Sequence, residues 1–538
     1  MYTALKSGKI LLAVFFLTIS QINVSGQAIS FLSYTDHLVE ETTVYEKGND
    51  YQKDVLLFCN LIGDTHPAFA GKKESHPFDL EKVQEEAYEW AARCRSVEEL
   101  HAYLQRILTR LHDSHTTLQP IMNTQLIYPF SIFREKDHVY LWAVDKQHEA
   151  CLGKQIEKIN GYPVNEAIDS FKDCISSENE VYFDDKVNGF MQLFASWNRG
   201  KYASADSVLS LTLSGGTETV RLKPVSLKNV SIVWKKEYQN TPFIRKNMKM
   251  PFDYQLLKDE GICYLQFNAC MDRSSVQYQN LFGGIELSSQ QRQALNMIPR
   301  FDSFLQVMFD SVRTNKIETL VVDIRGNRGG NSFLGDVLLS YLKPENEIRQ
   351  GKTLIRFSDL WEQSYPTLAK EYHSMLSSSG ENVDRNKLYD TELPVFMNPD
   401  KSKAVADSIH VLFVKNRETN NVFKGKVLFL QDEKTFSSAG LLVTLARDNG
   451  IGMVVGSKSA YSPCSYGDLL AWELPHTKIK GFVSHKLFMR ADDTKCGERS
   501  LLPDVWIPST WQNVSTVRDA VWEWVLENHR TSVDKKEN

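Results

Sequence analysis

The sequence lacks several features that would point to common classes of protein. It has no excess of basic residues, because 62 lysines and arginines stand against 67 aspartates and glutamates, for a formal net charge of −5. A nucleic-acid-binding protein needs a basic surface, so this balance argues against a nucleic-acid partner. The C-x-x-C and H-E-x-x-H spacings of common zinc sites are missing too. We therefore predict neither a protein-held metal nor a cofactor.

Long apolar runs are also missing, apart from one near the start of the chain. Residues 10–19 read ILLAVFFLTI, follow Lys6 and Lys9, and precede a segment in which Val24 and Gly26 form a plausible small-residue cleavage site. This order is typical of a secretory signal peptide, and ten apolar residues are too few to span a bilayer. An uncleaved anchor is the competing interpretation. We predict that the mature protein has no transmembrane segment and is exported to the periplasm or the extracellular space.

Cysteine is scarce for a chain of 538 residues, and eight cysteines are too few for a disulfide scaffold. Individual pairs could still form in an oxidising compartment. Two pairings are candidates from position alone. One joins Cys464 to Cys496, and the other joins Cys151 to Cys174.

The sequence does contain a strand, a sharp corner and a helix between Lys426 and Gly456. An apolar run at Val427–Leu430 leads into the corner Thr435–Gly440, which is followed by leucines at helical spacing. A hydroxyl at the start of a helix lies among unpaired backbone N–H groups, which can stabilise an oxyanion. Ser437 and Ser438 occupy that place. An ordinary helix cap is the alternative, because serine and threonine are preferred there.

The rest of the chain has three parts of different character. Residues 50–118 have helical periodicity, residues 127–226 are rich in strands with a helical excursion from about 166 to 193, and strands alternate with helices from about 254 onward. In the last part, the strand at 319–324 runs into a turn that contains Gly329 and Gly330. Residues 345–420 are polar and favour an insertion or a lid.

Five short motifs, in this order, resemble those of the C-terminal processing (tail-specific) serine peptidases, especially their tricorn-like and retinoid-binding-protein-like relatives. The resemblance covers about residues 50–510. The motifs are Leu111-His-Asp-Ser-His-Thr116, Gly153-Lys-Gln-Ile-Glu-Lys-Ile-Asn-Gly161, Val322-Asp-Ile-Arg-Gly-Asn-Arg-Gly-Gly330, Thr435-Phe-Ser-Ser-Ala439 and Leu502-Pro-Asp504.

The resemblance implies an α/β, multidomain fold, with a crotonase/ClpP-like ββα spiral catalytic core, an N-terminal helical module and a PDZ-like β domain. The expected boundaries are a signal peptide at 1–26, the helical module at 27–122, the PDZ-like domain with its helical insertion at 123–228, the catalytic core at 229–530 and a tail at 531–538.

The resemblance also implies a nucleophile and an oxyanion site. The serine at the corner matches Ser437 rather than Ser438, and Asp448, eleven residues further on, supports that choice. Backbone N–H groups of Ser438 and of the Gly329-Gly330 turn would hold the oxyanion.

The base is where the chain departs from one branch of the family. Ser462 stands where tail-specific members carry a catalytic lysine, and Lys458 lies four residues early. The tricorn-like branch instead uses a histidine with a neighbouring serine and a late glutamate, which here match His115, Ser114 and Glu498. Neutral imidazole titrates near working pH and can take the serine proton.

The predicted function is that of a secreted serine endopeptidase, with an acyl-enzyme on Ser437 and His115 as general base. Its partner would be a peptide or protein substrate, and the PDZ-like domain would bind a peptide by strand addition. The alternative is a non-catalytic relative that keeps the fold and binds a peptide or an apolar ligand.

Overall fold

The structure is a computed structural model, and it describes residues 31–121, 126–197, 200–203, 206–216, 218–234, 245, 247–282, 287–391, 411–416, 421–516 and 518–530. The predicted signal peptide at 1–26 therefore lies outside the described residues. Much of the predicted lid, from 392 to 410, and the tail at 531–538 also lie outside them.

The N-terminal part is helical, as its periodicity predicts. Asn49, Asp79 and Ser96 each cap a helix with a side-chain oxygen, as expected of these residue types. The elements are β1 Leu32–Ser33, α1 His37–Glu40, α2 Thr43–Lys47, α3 Asp50–Thr65, α4 Leu80–Ala91, α5 Val97–Thr109 and β2 Thr117–Leu118.

The middle part contains two small sheets and the predicted helical excursion. One sheet has the order β7-β6-β8-β9 and the other β11-β5-β4, and β10 pairs separately with β3. The elements are β3 Leu126–Ile127, β4 Phe130–Glu135, β5 His138–Asp145, β6 Ile156–Ile159, β7 Tyr162–Pro163, α6 Val164–Asp169, α7 Glu180–Gln192, β8 Leu209–Leu213, β9 Thr219–Leu222, β10 Val225–Ser226 and β11 Ile232–Trp234.

The C-terminal part alternates strands with helices. Its six-stranded sheet has the order β12-β13-β14-β17-β18-β21, in which every pairing except β12 with β13 is parallel. The elements are β12 Phe252–Leu257, β13 Ile262–Phe267, α8 Arg273–Phe282, α9 Ser289–Asn296, α10 Phe301–Thr314, β14 Thr319–Asp323, α11 Phe333–Leu339, β15 Lys352–Arg356, α12 Asp359–Ser364, α13 Pro366–Ser378, β16 Leu388–Asp390, β17 Lys426–Gln431, α14 Ser438–Asp448, β18 Met453–Gly456, β19 Ser465–Glu473, β20 Lys480–Met489, β21 Val505–Trp506, α15 Trp511–Thr516 and α16 Ala520–Asn528.

The central strands are apolar on both faces because helices cover both sides of a parallel sheet. β13 and β14 are buried along their whole length. Two loops leave this sheet at its carboxyl end. β14 leads there to the glycine turn, and the neighbouring parallel strand β17 leads to the serine corner.

A second six-stranded sheet joins the two ends of the chain. β1, β19, β20, β15 and β16 follow each other in it, and β2 pairs with β20 beside them. The described part of the predicted 345–420 lid thus includes two strands of this sheet, β15 and β16, and two helices that share a hydrophobic core with the N-terminal helices. It forms a wall of the molecule rather than a separate insertion.

The predicted α/β, multidomain fold class is confirmed. No helix among the described residues is long and apolar enough to cross a membrane.

Candidate active site

The backbone at the serine corner is strained at one residue. β17 ends at Gln431 and α14 begins at Ser438, and between them Ser437 has φ 53° and ψ −129°. A side chain with a Cβ avoids positive φ, and such a residue costs on the order of 1–3 kcal/mol. Ser437 precedes the helix without capping it, since its side chain makes no cap hydrogen bond. The cap interpretation of this serine is therefore wrong.

The Ser437 hydroxyl meets an imidazole from the other end of the chain. His115 lies between α5 and β2, and its Nε2 is 3.1 Å from Ser437 Oγ. The pairing of β2 with β20 carries His115 to this place, because Thr117 and Leu118 lie opposite Phe482 and Gly481. The sequence predicted this pair from two motifs that are far apart in the chain.

Two buried carboxylates lie on the other side of the imidazole. His115 Nδ1 is 3.6 Å from Glu178 Oε1 and 3.7 Å from Asp113 Oδ1. Asp113 already accepts from the His115 backbone N–H, His66 Nε2, Thr116 Oγ1 and Ser484 Oγ. Glu178 Oε1 and His115 Nδ1 are both buried, and neither has a hydrogen-bond partner among the described residues. Glu178 is thus the carboxylate left to accept the Nδ1 proton.

Glu178 was missed by the sequence analysis. It directly precedes α7 in the helical excursion of the middle part, and its position rests on two contacts to other segments. Its backbone N–H donates to Ser114 Oγ at 2.9 Å, and its Oε2 accepts from the Ser462 backbone N–H at 3.1 Å. Nothing in the local sequence Ser-Ser-Glu-Asn distinguishes this glutamate from an ordinary residue before a helix.

The charges in this cluster shift the pKa values of His115 and Glu178 upward. Burial lowers the pKa of the His115 imidazole, but the Asp113 and Glu178 carboxylates outweigh burial and raise that pKa to about 9. Burial also raises the pKa of Glu178 above its usual range, against the opposing hydrogen bond from His115. The protonated imidazole of His115 is therefore more stable in this site than it would be in water.

Two aromatic rings pack the imidazole against the serine corner. The Phe436 ring stacks on His115 with centroids 4.7 Å apart and packs against Tyr182 at 4.9 Å. The Tyr182 hydroxyl donates to the Ser114 carbonyl at 3.0 Å. Because Tyr182 belongs to α7, the middle part of the chain forms one side of the site.

The glycine turn packs against the back of Ser437. A Cβ on Gly329 would lie 2.8 Å from Ser437 Cβ, and one on Gly330 would lie 2.2 Å from the Cys270 carbonyl oxygen. Both glycines also have positive φ. Only glycine permits this approach.

One predicted oxyanion donor needs correction. The Gly329 N–H donates to Asn327 Oδ1 at 2.8 Å, so it is not free for substrate. The N–H groups of Gly330 and Ser438 make no hydrogen bond to any described residue. These two donors remain as candidates for an oxyanion.

Glu498 is a second correction. Its carboxylate accepts from Arg490 Nη1 at 2.8 Å, and Arg490 also pairs with Asp448 at the end of α14. This network lies at the C-terminal end of α14 and does not include His115. Ser114 does lie in the site, but its hydroxyl contacts Glu178 rather than the imidazole.

Neither residue considered for a lysine base supplies one. Ser462, where tail-specific members carry lysine, contacts Glu178 through its N–H and the Arg499 carbonyl through its hydroxyl. Lys458 lies over the Trp506 ring, 5.3 Å from its centroid. Of the residues considered as a base, His115 is the one whose side chain contacts Ser437 in the described part of the chain.

The cysteines behave differently from one another. Cys464 and Cys496 form a disulfide, as one candidate pairing predicted. The pairing of Cys151 with Cys174 is wrong, because the structure joins neither of them in a disulfide. Cys270 borders the cleft, and burial raises the pKa of its thiol to about 12, which keeps it protonated and poorly nucleophilic.

Asp113, His115 and Glu178 also form the one group of potential metal ligands found among the described residues. Their ligand atoms lie within 4.8 Å of one another. Asp113 is already saturated by four donors, and Nε2 of His115 faces Ser437. This donor set fits an oriented imidazole better than a metal ion.

Gly440, in the first turn of α14, packs closely against Tyr461. A Cβ at this position would lie 2.3–2.4 Å from three atoms of the buried Tyr461 side chain. We expect Gly440→Ala to lower the free energy of unfolding by about 1–3 kcal/mol, because overpacking outweighs the gain of about 0.5–1 kcal/mol from helix propensity. The midpoint of urea unfolding measures this loss.

Gly497→Ala is the matched control, since no atom lies within 4 Å of the Cβ that it would add. Equal unfolding midpoints for the two variants would contradict the packing argument.

Part of the chain matches a known protein family. Residues 283–463, which include the glycine turn and the serine corner, match the model of peptidase family S41. These residues are thus similar to peptidases of family S41. The predicted recognition of this family is confirmed. No curated protein sequence matches the chain significantly.

Solved structures show the same fold over most of the chain. The chain shares 14% identity with mature CPAF complexed with lactacystin, with a TM-score of 0.59 over 90% of this chain and 98% of that one. The crystal structure of mature CPAF gives 13% identity and a TM-score of 0.58, over 90% of this chain and 96% of that one. At this identity the likeness concerns the fold alone.

Proposed function

We propose that this S41 chain is an exported serine endopeptidase in which Ser437 is the nucleophile and His115 the general base. The observation that carries the proposal is the 3.1 Å contact between His115 Nε2 and the hydroxyl of Ser437. Ser437 also has the strained backbone expected where a nucleophile is exposed at a strand-to-helix corner. Strain of this kind needs a compensating function, and a simple cap would not require it.

The contacts suggest the following sequence of steps. Ser437 transfers its hydroxyl proton to Nε2 as Oγ attacks the carbonyl carbon of the peptide bond. The N–H groups of Gly330 and Ser438 stabilise the oxyanion, and Glu178 stabilises the imidazolium through Nδ1. His115 then gives its proton to the leaving amine, which breaks the C–N bond and leaves an ester on Ser437. Water, deprotonated by the same imidazole, hydrolyses that ester.

The cleft beside Ser437 supports a peptide as the substrate. Its volume is about 1300 Å³, above the roughly 300–1000 Å³ of typical small-molecule sites. Leu441, Leu442 and Leu445 border it, as do polar groups of the second sheet. An extended chain of several residues therefore has room on both sides of the nucleophile. The PDZ-like role of the middle part, peptide binding by strand addition, remains part of this proposal.

Export is supported by two features. Residues 1–26 have the order of a signal peptide, and Cys464 and Cys496 are joined by a disulfide, which persists in oxidising compartments.

A fluorophosphonate probe tests the nucleophile directly. Purified mature protein should become labelled, and Ser437→Ala should not, because the probe reacts only with an activated serine. Ser438→Ala should still be labelled, because the Ser438 hydroxyl donates to the Gly330 carbonyl at 2.7 Å and does not contact His115. Labelling is read by gel fluorescence and by mass spectrometry of the modified peptide.

Equal labelling of wild type and Ser437→Ala would overturn the assignment. A complete lack of labelling in the folded wild-type protein would instead favour the non-catalytic alternative.

A further inference from the structure

One wall of the active-site cleft carries two cations that the proposed mechanism does not use. Lys186 on α7 and Arg328 in the glycine turn both line the cleft, and their side chains are 13% and 12% exposed. Their shared counter-ion, Asp185, is 4% exposed and does not line the cleft. The positive groups therefore face the substrate, while the negative group lies behind them.

Arg328 forms the closer ion pair with Asp185. Its two terminal nitrogens both donate to Asp185, one of them at 2.6 Å. The Lys186 ammonium approaches the same carboxylate only to 3.7 Å, which is beyond hydrogen-bond distance. In the described part of the chain, Lys186 has no other ion pair. Its ammonium lies over the Tyr182 ring, 5.1 Å from the centroid.

Positive charge exceeds negative charge around Lys186. Arg328 and Lys434 repel its ammonium, and Asp185 attracts it. Asp432, the other carboxylate acting on Arg328, already accepts from the N–H groups of Gly326 and Lys434. Burial, together with the nearby Arg328, lowers the pKa of Lys186 to about 7. A partly buried ammonium without a close acceptor is unfavourable by itself, and an incoming anion would relieve this cost.

Each of the two cations is connected to the segment around Ser437 through a neighbouring residue. Arg328 directly precedes Gly329, which packs against Ser437. Tyr182, which contacts the Lys186 ammonium, packs on Phe436 with ring centroids 4.9 Å apart. A group bound at Lys186 therefore belongs to a part of the substrate near the scissile bond.

We propose that Lys186, backed by Arg328, binds a carboxylate of the peptide substrate near the scissile bond and makes this enzyme selective for peptides that present a carboxylate at this place. The inference rests on the proposed peptidase function and adds its substrate class. The carboxylate could belong to a Glu or Asp side chain or to the free carboxyl terminus of the substrate. Both present the same anion to the ammonium, so the experiment must separate them.

The test uses peptides cleaved by the mature protein, synthesised in pairs that differ only by Glu or Gln next to the cleaved bond. Each pair is made with a free carboxyl terminus and with an amidated one. We expect wild type to favour one carboxylate by about tenfold or more in kcat/KM, as a charge-assisted hydrogen bond predicts. The Glu-to-Gln ratio reports a side chain, and the acid-to-amide ratio reports a terminus.

Lys186→Met should bring the affected ratio close to one, and Lys186→Arg should retain most of it. Lys158→Met, at an exposed lysine of β6, is the matched control and should keep the wild-type ratio. If Lys186→Met does not fold, Lys186→Gln answers the same question with a polar side chain.

Three results would overturn the inference. Wild type could show neither preference, the preference could survive in Lys186→Met, or folded Lys186→Met could lose fluorophosphonate labelling, which would place Lys186 in proton transfer. Binding of the same labelled peptides to Ser437→Ala protein, measured by fluorescence anisotropy, separates this inference from the peptidase proposal. If wild type hydrolyses nothing, the peptidase proposal fails, but the Glu-to-Gln ratio of dissociation constants still tests the carboxylate site.

Discussion

Replacing His115 by alanine is expected to lower kcat/KM for peptide hydrolysis by on the order of 10⁴ to 10⁶. His115 is the side chain whose nitrogen contacts the Ser437 hydroxyl, at 3.1 Å. Without it the hydroxyl keeps its proton and is a poor nucleophile. The measurement is the initial rate of cleavage of a fluorogenic peptide by purified mature protein.

Lys458→Ala is the control for this prediction, and we expect it to keep most of the activity. Lys458 lies over the Trp506 ring rather than beside Ser437. The reverse order, with Lys458→Ala inactive and His115→Ala active, would move the enzyme to the serine–lysine branch of the family.

Replacing Glu178 by glutamine is expected to lower kcat/KM by on the order of 10² to 10⁴. Glu178 Oε1 faces His115 Nδ1 at 3.6 Å, and a small closure on substrate binding would bring them within hydrogen-bond distance. A glutamine amide can donate to Nδ1 and so favour the tautomer with a proton on Nε2, which cannot accept the proton of Ser437. Fluorophosphonate labelling and peptide cleavage should both slow.

Glu498→Gln is the matched control, since the sequence alone would have chosen it as the carboxylate of the site. We expect it to retain activity within a few-fold of wild type, because Arg490 keeps its second partner, Asp448. A large loss in Glu498→Gln with little loss in Glu178→Gln would contradict the structural assignment.

The pH dependence of kcat/KM follows from the same cluster. Only neutral imidazole can accept the serine proton, so activity should rise with pH through the pKa of His115, which the two carboxylates raise to about 9. Removing the Glu178 charge destabilises the imidazolium and should move this rise to lower pH. Profiles of kcat/KM against pH for wild type and Glu178→Gln measure the shift. A rise at the same or a higher pH in the variant would contradict this role.

Local sequence was enough to predict the elements of the catalytic core. Apolar runs predicted the parallel strands, because a strand covered on both faces is apolar throughout. The serine corner and the glycine turn were also readable, since a helix start and a close backbone approach each require particular residue types. His115 and Ser437 could be paired only through the family resemblance, because no local pattern joins residues from distant parts of a chain.

Only the tertiary structure shows which carboxylate lies beside His115, which backbone N–H groups remain as candidate oxyanion donors, and which cations line the cleft. Glu178 reaches His115 because α7 packs across the corner, with Tyr182 against Phe436 and Ser114 bound to the Glu178 N–H. Gly329 lost its predicted role to the side chain of Asn327, only two residues away.

The sequence by itself therefore determined the strand–corner–helix unit and the residue types that surround the nucleophile, because these depend on contacts between near neighbours in the chain. Packing between distant segments determined which carboxylate orients His115 and which cations face the cleft. A buried carboxylate is selected by its distance, its free lone pairs and the water excluded around it, and these are properties of the folded surface.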